Sequence, residues 1–197
     1  MPEYRDRRAN GSIKLGVLHA HHGRDHEARD AFERAHEIQL RLTKDFPDIS
    51  GYRHNLAAHC YSATVNLATL SGHDERDAQR ARELAREAVA IEPEEAGFWK
   101  ALALAEYRAG DLESALKAET KALELRNSKG YSYDWLILAL IHLGRGDREQ
   151  ARAWAERVYG GRAPGSIPSQ EPDFTRLARE SEPRLRKLLS SGPESPP

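Results

Sequence analysis

The sequence holds a single cysteine, Cys60, so no internal disulfide can form and a reducing compartment suits it. Aromatic residues make up only 7% of the chain. Neither charge is in excess: 30 lysines and arginines balance 31 aspartates and glutamates, for a formal net charge of −1. That balance excludes a global basic field for nucleic acid or anionic membranes. The longest apolar run, Trp135 to Ile141, is far below the ~20 residues needed to span a bilayer. The opening MPEYRDRRANG is charged and lacks an apolar signal core. A soluble, cytoplasmic protein is expected, without nucleic-acid or membrane partners.

What the chain has in quantity is alanine, leucine, glutamate and arginine. It is 39% hydrophobic and 31% charged, a mix that favours an all-helical protein with many charged surfaces. The organising stretch is Phe98 to Leu125, which reads as two short helices joined by a tight turn. Trp99, Leu102 and Ala103 put a large, a medium and a small apolar group on one face of the first helix. Gly110 ends that helix, because a glycine tolerates the left-handed backbone just past a helix end. Asp111 stands where a carboxylate caps the next helix. Leu112, Ala115, Leu116, Ala122 and Leu123 recur at helical spacing and form its buried face. Alanines at 103, 115 and 122 allow the close approach that a tryptophan or leucine opposite would otherwise prevent.

This pattern resembles the tetratricopeptide (TPR) hairpin, W-x2-L-G-x2-Y followed by A-x3-F and a closing proline. Trp99, Leu102, Ala115 and Ala122 match, with Ala103 in the place of glycine. Glu106, Glu119 and Asn127 depart from the expected tyrosine, phenylalanine and proline. The pattern recurs: Trp135, Leu138, Ala139, Gly146, Asp147 and Ala151 repeat Trp99, Leu102, Ala103, Gly110, Asp111 and Ala115, each pair 36 residues apart. The resemblance implies an all-α, right-handed TPR superhelix of about four hairpins with a C-terminal capping segment.

In chain order, a first hairpin is expected over 4–47. Gly16 is its small residue, Ala28 and Phe32 keep A-x3-F intact, and Pro47 ends it. Gly23-Arg24-Asp25 repeats the glycine–aspartate turn with one insertion. Tyr52, Ala57 and Val65 echo Tyr4, Ala9 and Val17 at a distance of 48 residues, which predicts long helices and a second hairpin over 51–93. The third and fourth follow over 94–127 and 130–160, completing a repeat array over 1–160. A Gly/Pro/Ser-rich linker is expected over 161–172. Short capping helices are expected over 173–190, from Pro172 to Glu180 and Pro183 to Leu189, because a terminal repeat otherwise exposes its core face. A disordered tail is expected over 191–197.

The phrases DFPDISGYRHNLA, FWKALALAEYRAGDLESALKAETKALELRN and YDWLILALIHLGRGDREQARAWAERV resemble, more narrowly, the TPR region of planctomycete-type bacterial proteins. In that family such repeats follow a serine/threonine kinase domain or stand beside WD40 repeats. The kinase's glycine-rich ATP loop, HRD and DFG are all absent here. The resemblance therefore implies a partner-binding module, with a regulatory or substrate-recruiting part in a kinase system as the alternative.

Candidate chemistry is sparse. His19, His22 and His26 are the closest histidines, but the turn at Gly23 breaks the face that paired metal ligands need. HExxH and cysteine pairs are missing. Cys60 and His59 are neighbours on a helix and point about 100° apart, and His54 is misaligned, so no nucleophile–base pair results. Asn10-Gly11-Ser12 matches a glycosylation sequon without other signs of secretion, and Arg145-Gly146-Asp147 is a turn before it is an adhesion tripeptide. Neither an enzyme, a metal nor a cofactor is expected, and a histidine-based metal protein is the remaining alternative. The charged run ERDAQRARELARE reads as a solvated helix face.

The functional surface is expected on the concave groove lined by the first helix of each repeat. The register places Lys100, Leu104, Tyr107 and Arg108 there in the third repeat and Leu136, Leu140 and Leu143 in the fourth. Ile13, Val17 and His21 occupy the first repeat's groove, without the pattern that clamps a free C-terminal carboxylate. The helix WLILALIHL is apolar nearly all round, and such a helix is buried all round. Either the C-terminal segment covers it through Leu177, Leu185 and Leu189, or a partner does. The expected function is a scaffold that binds a peptide or helix of a protein partner.

Overall fold

The computed structural model describes residues 1–161, 163, 165 and 172–191. Among them the chain forms helices and turns without strands: α1 (Pro2–His21), α2 (Asp25–Asp45), α3 (Ser50–Leu67), α4 (Glu75–Ile91), α5 (Ala96–Arg108), α6 (Leu112–Leu125), α7 (Ser132–Gly144), α8 (Arg148–Tyr159) and α9 (Pro172–Ser190). Consecutive helices pair as hairpins, and α1 packs on α3, α3 on α5 and α5 on α7. The result is an all-α stack of four hairpins closed by α9. Most of the expected linker, 161–172, and of the expected tail, 191–197, lies outside the described residues.

Three of the hairpin turns use the same chemistry. Gly23, Gly110 and Gly146 have φ of 67°, 80° and 80°. After each, the next N–H reaches back to a carbonyl five residues earlier: Arg24 to His19, Asp111 to Glu106 and Asp147 to His142. The glycine's own N–H bonds three residues back, which completes a Schellman cap and satisfies carbonyls the helix leaves open. Asp111 and Asp147 then cap the following helices, accepting from the backbone N–H of Ser114 (3.0 Å) and Gln150 (3.2 Å). Asp25 differs from the expected turn chemistry. It lies inside α2 and makes no cap; its Oδ2 accepts from the Gly72 N–H at 2.9 Å, tying the first turn to the second. The second turn has no left-handed glycine and is closed by a reciprocal capping box between Asp74 and Asp77.

Asn127 stands where a closing proline was expected. Asn127 and Ser128 have φ of 52° and 60°, and Ser128 N–H bonds Leu123 O at 2.8 Å. Proline's ring fixes φ near −65°, so it cannot occupy that left-handed position.

The core follows the small-against-large logic. A Cβ on Gly16 would lie 2.5 Å from the Phe32 ring, so glycine there is what admits phenylalanine. Ala103, Ala115, Ala122, Ala139 and Ala151 are fully buried between helices. The other two motif departures in the third hairpin, Glu106 and Glu119, are buried acids. Glu106 is clasped by Arg82 (2.8 Å) and Arg86 (2.8 Å) from α4. Glu119 is packed beside Asp134, whose carboxylate takes a bidentate contact from Arg126 (2.6 and 3.1 Å) and the Tyr131 N–H (2.6 Å).

The C-terminal segment forms one helix where two short ones were expected. Pro183 lies inside it. Both Pro183 and Arg179, whose carbonyl loses its helical partner, lie on the exposed side, where the open carbonyl is accessible to solvent, and the helix continues.

Candidate partner-binding face

The first helices of the hairpins lie side by side, and their C-terminal ends form a row: Ala20 and His21 on α1, Asn66 on α3, Arg108 on α5 and Leu143 on α7. Helix α9 packs on α7 and α8 through Leu177, Ala178, Leu185 and Leu188, all buried. The Tyr159 hydroxyl of α8 donates to Ala178 O at 3.1 Å, and Arg152 donates to Leu189 O at 2.9 Å. From this seat α9 reaches back along the row. Arg108 pairs with Glu180 through both guanidinium nitrogens, at 2.7 and 2.5 Å. Arg176 donates to Asn66 Oδ1 at 3.1 Å and, more weakly, to Ala20 O at 3.4 Å. One helix therefore caps the last hairpin and bridges three earlier ones. The hydrogen bonds from Arg108 hold the Glu180 carboxyl below the usual carboxylate range.

The seven groove candidates divide. Leu104, Leu136 and Leu140 are buried within the chain, at 0%, 0% and 1% exposure, and offer nothing to a partner in this state. The reason is that α5 is packed by α3, α4, α6 and α7, and that α7 is packed by α5, α6, α8 and α9. Lys100, Tyr107, Arg108 and Leu143 are partly exposed. The Lys100 ammonium sits 4.6 Å from the centre of the Tyr133 ring. Arg108 is already engaged with α9, and its side chain is only 7% exposed.

The run ERDAQRARELARE is less solvated than expected. Asp77 is buried and takes a bidentate contact from Arg29 at 2.6 Å. Arg80 forks onto Glu33 (2.6 and 2.8 Å), and Arg82 and Arg86 hold Glu106. These pairs clasp hairpins together. Sequence periodicity could not show them, because each joins residues 20 or more apart in the chain.

His59 and Cys60, weighed in the sequence as a nucleophile–base pair, are both buried, and what motif reading could not show is their surroundings. His59 is buried, which pushes its pKa down to about 4. It is neutral, and its Nε2 lies 3.0 Å from Asn10 Oδ1. Cys60 is buried at the junction of α2, α3 and α4, with His36 and Glu87 around it. Burial raises the thiol well above its ordinary range.

A stack of helical hairpins with a helix-bearing face along its first helices is a TPR-like architecture. Residues 74–132, which span α4 to α6, match the tetratricopeptide repeat family. Among solved structures, the crystal structure of MamA protein is similar at 16% identity, covering 94% of this chain and 98% of that one with a TM-score of 0.41. No curated protein matches the sequence. No helix among the described residues is long and apolar enough to cross a membrane.

Proposed function

We propose that this protein is a non-catalytic interaction scaffold, and that its groove face takes an amphipathic helix from a protein partner in the seat now held by α9. The observation that carries the reading is the pairing of an apolar seat on α7 and α8 with the Arg108–Glu180 contact. An amphipathic helix already lies there, and its leucines and its glutamate describe the kind of ligand that fits. Lys100, Tyr107 and Leu143 are the partly exposed groove residues left to extend the contact. The buried Leu104, Leu136 and Leu140 shape the floor behind it.

The test offers a labelled peptide of residues 172–191 to the full chain, and to a full chain with Leu177→Asp and Leu185→Asp, which weaken the seating of its own helix. The variant should capture the peptide at least tenfold better than the native chain, a difference of about 1.4 kcal/mol. Adding Arg108→Ala should reverse much of that gain. Equal capture by both chains, or none by either, overturns the reading. The narrower alternative, that the partner belongs to a bacterial serine/threonine kinase assembly in the cytoplasm, rests on the phrases around Tyr52, Trp99 and Trp135. Recovery of a kinase with the full chain tests it.

A further inference from the structure

We propose that His36, Cys60 and Glu87 form a binding site for a borderline-soft divalent cation of the zinc type. The three residues come from α2, α3 and α4, and their imidazole, thiol and carboxylate donor atoms all lie within 4.8 Å of one another. His36 Nε2 is 2.8 Å from Glu87 Oε2, and Cys60 Sγ is 3.7 Å from the same oxygen. Around zinc, with bonds of about 2.0–2.3 Å, tetrahedral ligand atoms stand roughly 3.4–3.7 Å apart. The sulfur and carboxylate already have that separation. The imidazole must retreat by about half an ångström, which replaces a hydrogen bond by two metal bonds.

The donor set selects the metal. Thiolate and imidazole suit zinc and its neighbours, while magnesium and calcium demand oxygen ligands. The charges also fit: a thiolate and a carboxylate neutralise a dication. Glu87 is ready for this, since the hydrogen bond from His36 and the nearby Arg80 hold its carboxyl below the usual range. Cys60 must give up its proton to the metal, so one proton leaves per ion bound. Glu87 is partly exposed, with 30% of its side chain open, which leaves an entry path and a fourth position for water.

The other imidazole nitrogen, which orients such a ligand, is already held from α4. Arg80 Nη2 lies between His36 Nδ1 (3.3 Å) and Glu33 Oε2 (2.8 Å). Without metal, Nδ1 accepts from Arg80 and Nε2–H donates to Glu87. With metal on Nε2, the proton moves to Nδ1, and Arg80, itself a donor, must withdraw from that nitrogen. Arg80 keeps Glu83, which it already contacts at 3.2 Å. No linear spacing carries this arrangement, because the three ligands belong to three helices. It is also separate from the histidines at 19, 22 and 26.

The test uses the full chain stripped of metal and titrated with cobalt(II), a spectroscopic stand-in for zinc. A near-ultraviolet sulfur-to-cobalt charge-transfer band should appear, saturate at one ion per chain and vanish when zinc is added. Cys60→Ala should abolish the band, and His36→Gln and Glu87→Gln should each weaken binding at least about tenfold. A chain with His19→Ala, His22→Ala and His26→Ala should keep it. Zinc should raise the melting temperature of the native chain and leave that of Cys60→Ala unchanged. Absence of the band in the folded native chain overturns the proposal whatever the variants do, and so does equal zinc uptake by the native chain and Cys60→Ala.

Discussion

Arg108 at the end of α5 and Glu180 in the middle of α9 face each other through a two-nitrogen, two-oxygen contact, 72 residues apart in the chain. The arginine side chain is 7% exposed and the glutamate 51%. A bidentate guanidinium–carboxylate pair fixes direction as well as distance. It therefore sets where α9 lies relative to the row of α1, α3 and α5 ends, while Leu177, Leu185 and Leu188 supply the burial. The half-exposed glutamate limits its contribution to stability.

For that pair, a double-mutant cycle of Arg108→Ala and Glu180→Ala should return a coupling of about 0.5–1 kcal/mol, the upper range for an ion pair open to solvent on one side. Glu180 has a depressed pKa in the folded chain, caused first by the Arg108 hydrogen bonds. Its contribution is thus fully present above the usual carboxylate range and is lost as pH falls through the folded value. The coupling measured at neutral pH should vanish in acid. A coupling of zero at neutral pH would show that α9 is held by its apolar face alone.

A second expectation concerns close packing. Ala103 and Ala139 are both fully buried at helix contacts. Ala103→Trp and Ala139→Trp should each destabilise the chain by ~1–3 kcal/mol or more, as overpacking of a filled site does. Gly16 gives a sharper version, since even one carbon there meets Phe32 at 2.5 Å. Gly16→Ala should lower the melting temperature, and Phe32→Leu in the same chain should recover part of the loss. Additive losses from those two changes would mean that the ring and the glycine do not oppose each other.

The clasps between hairpins lead to a third. Arg80→Ala with Arg86→Ala removes contacts to Glu33 and to the buried Glu106. In sequence these two arginines read as part of a solvated helix face. In the structure their removal loosens the second hairpin from the first and third. Chemical denaturation should show a loss of about 1–3 kcal/mol, since a buried carboxylate is left with fewer partners. An unchanged midpoint would return these residues to the solvated face.

What the sequence made legible was the repeating, local part of the fold. Gly110 and Asp111, repeated at Gly146 and Asp147, mark turns whose hydrogen bonds close within six residues. The all-helical class follows from that repetition and from the alanine and leucine spacing. The apolar α7 also pointed to a cover by the C-terminal segment, but the polar contacts between distant residues stayed hidden. Glu106 and Glu119 looked like defects in a motif, yet one is clasped by arginines from α4 and the other is buried beside Asp134 at the start of α7. Leu104, Leu136 and Leu140 have the right register for a groove and are buried nonetheless, because register gives direction and says nothing of what lies opposite. Arg176 with Asn66, and His36 with Cys60 and Glu87, share no spacing that a linear pattern could reveal.

Glu119 offers the most direct pH experiment. It occupies the position where a TPR hairpin usually has phenylalanine, and it is fully buried. Burial first, then the negative charge of Asp134 and a hydrogen bond with it, raise its pKa well above the ordinary value of 4.5. Burial thus favours its neutral form in the folded chain, while the unfolded chain ionises it normally. Because the folded value is the higher one, this group favours folding fully below the unfolded pKa. That advantage is lost as pH rises, by about 1.4 kcal/mol per pH unit, until the folded pKa is reached. Glu119→Gln keeps the shape and an N–H donor for Asp134 but cannot ionise. The native chain and the variant should be closest in stability below the ordinary carboxylate value of 4.5, and the variant should gain as pH rises above it. Denaturant titrations of both chains across that range measure the difference directly. A difference that stays flat with pH would show that Glu119 is not held neutral in the folded protein.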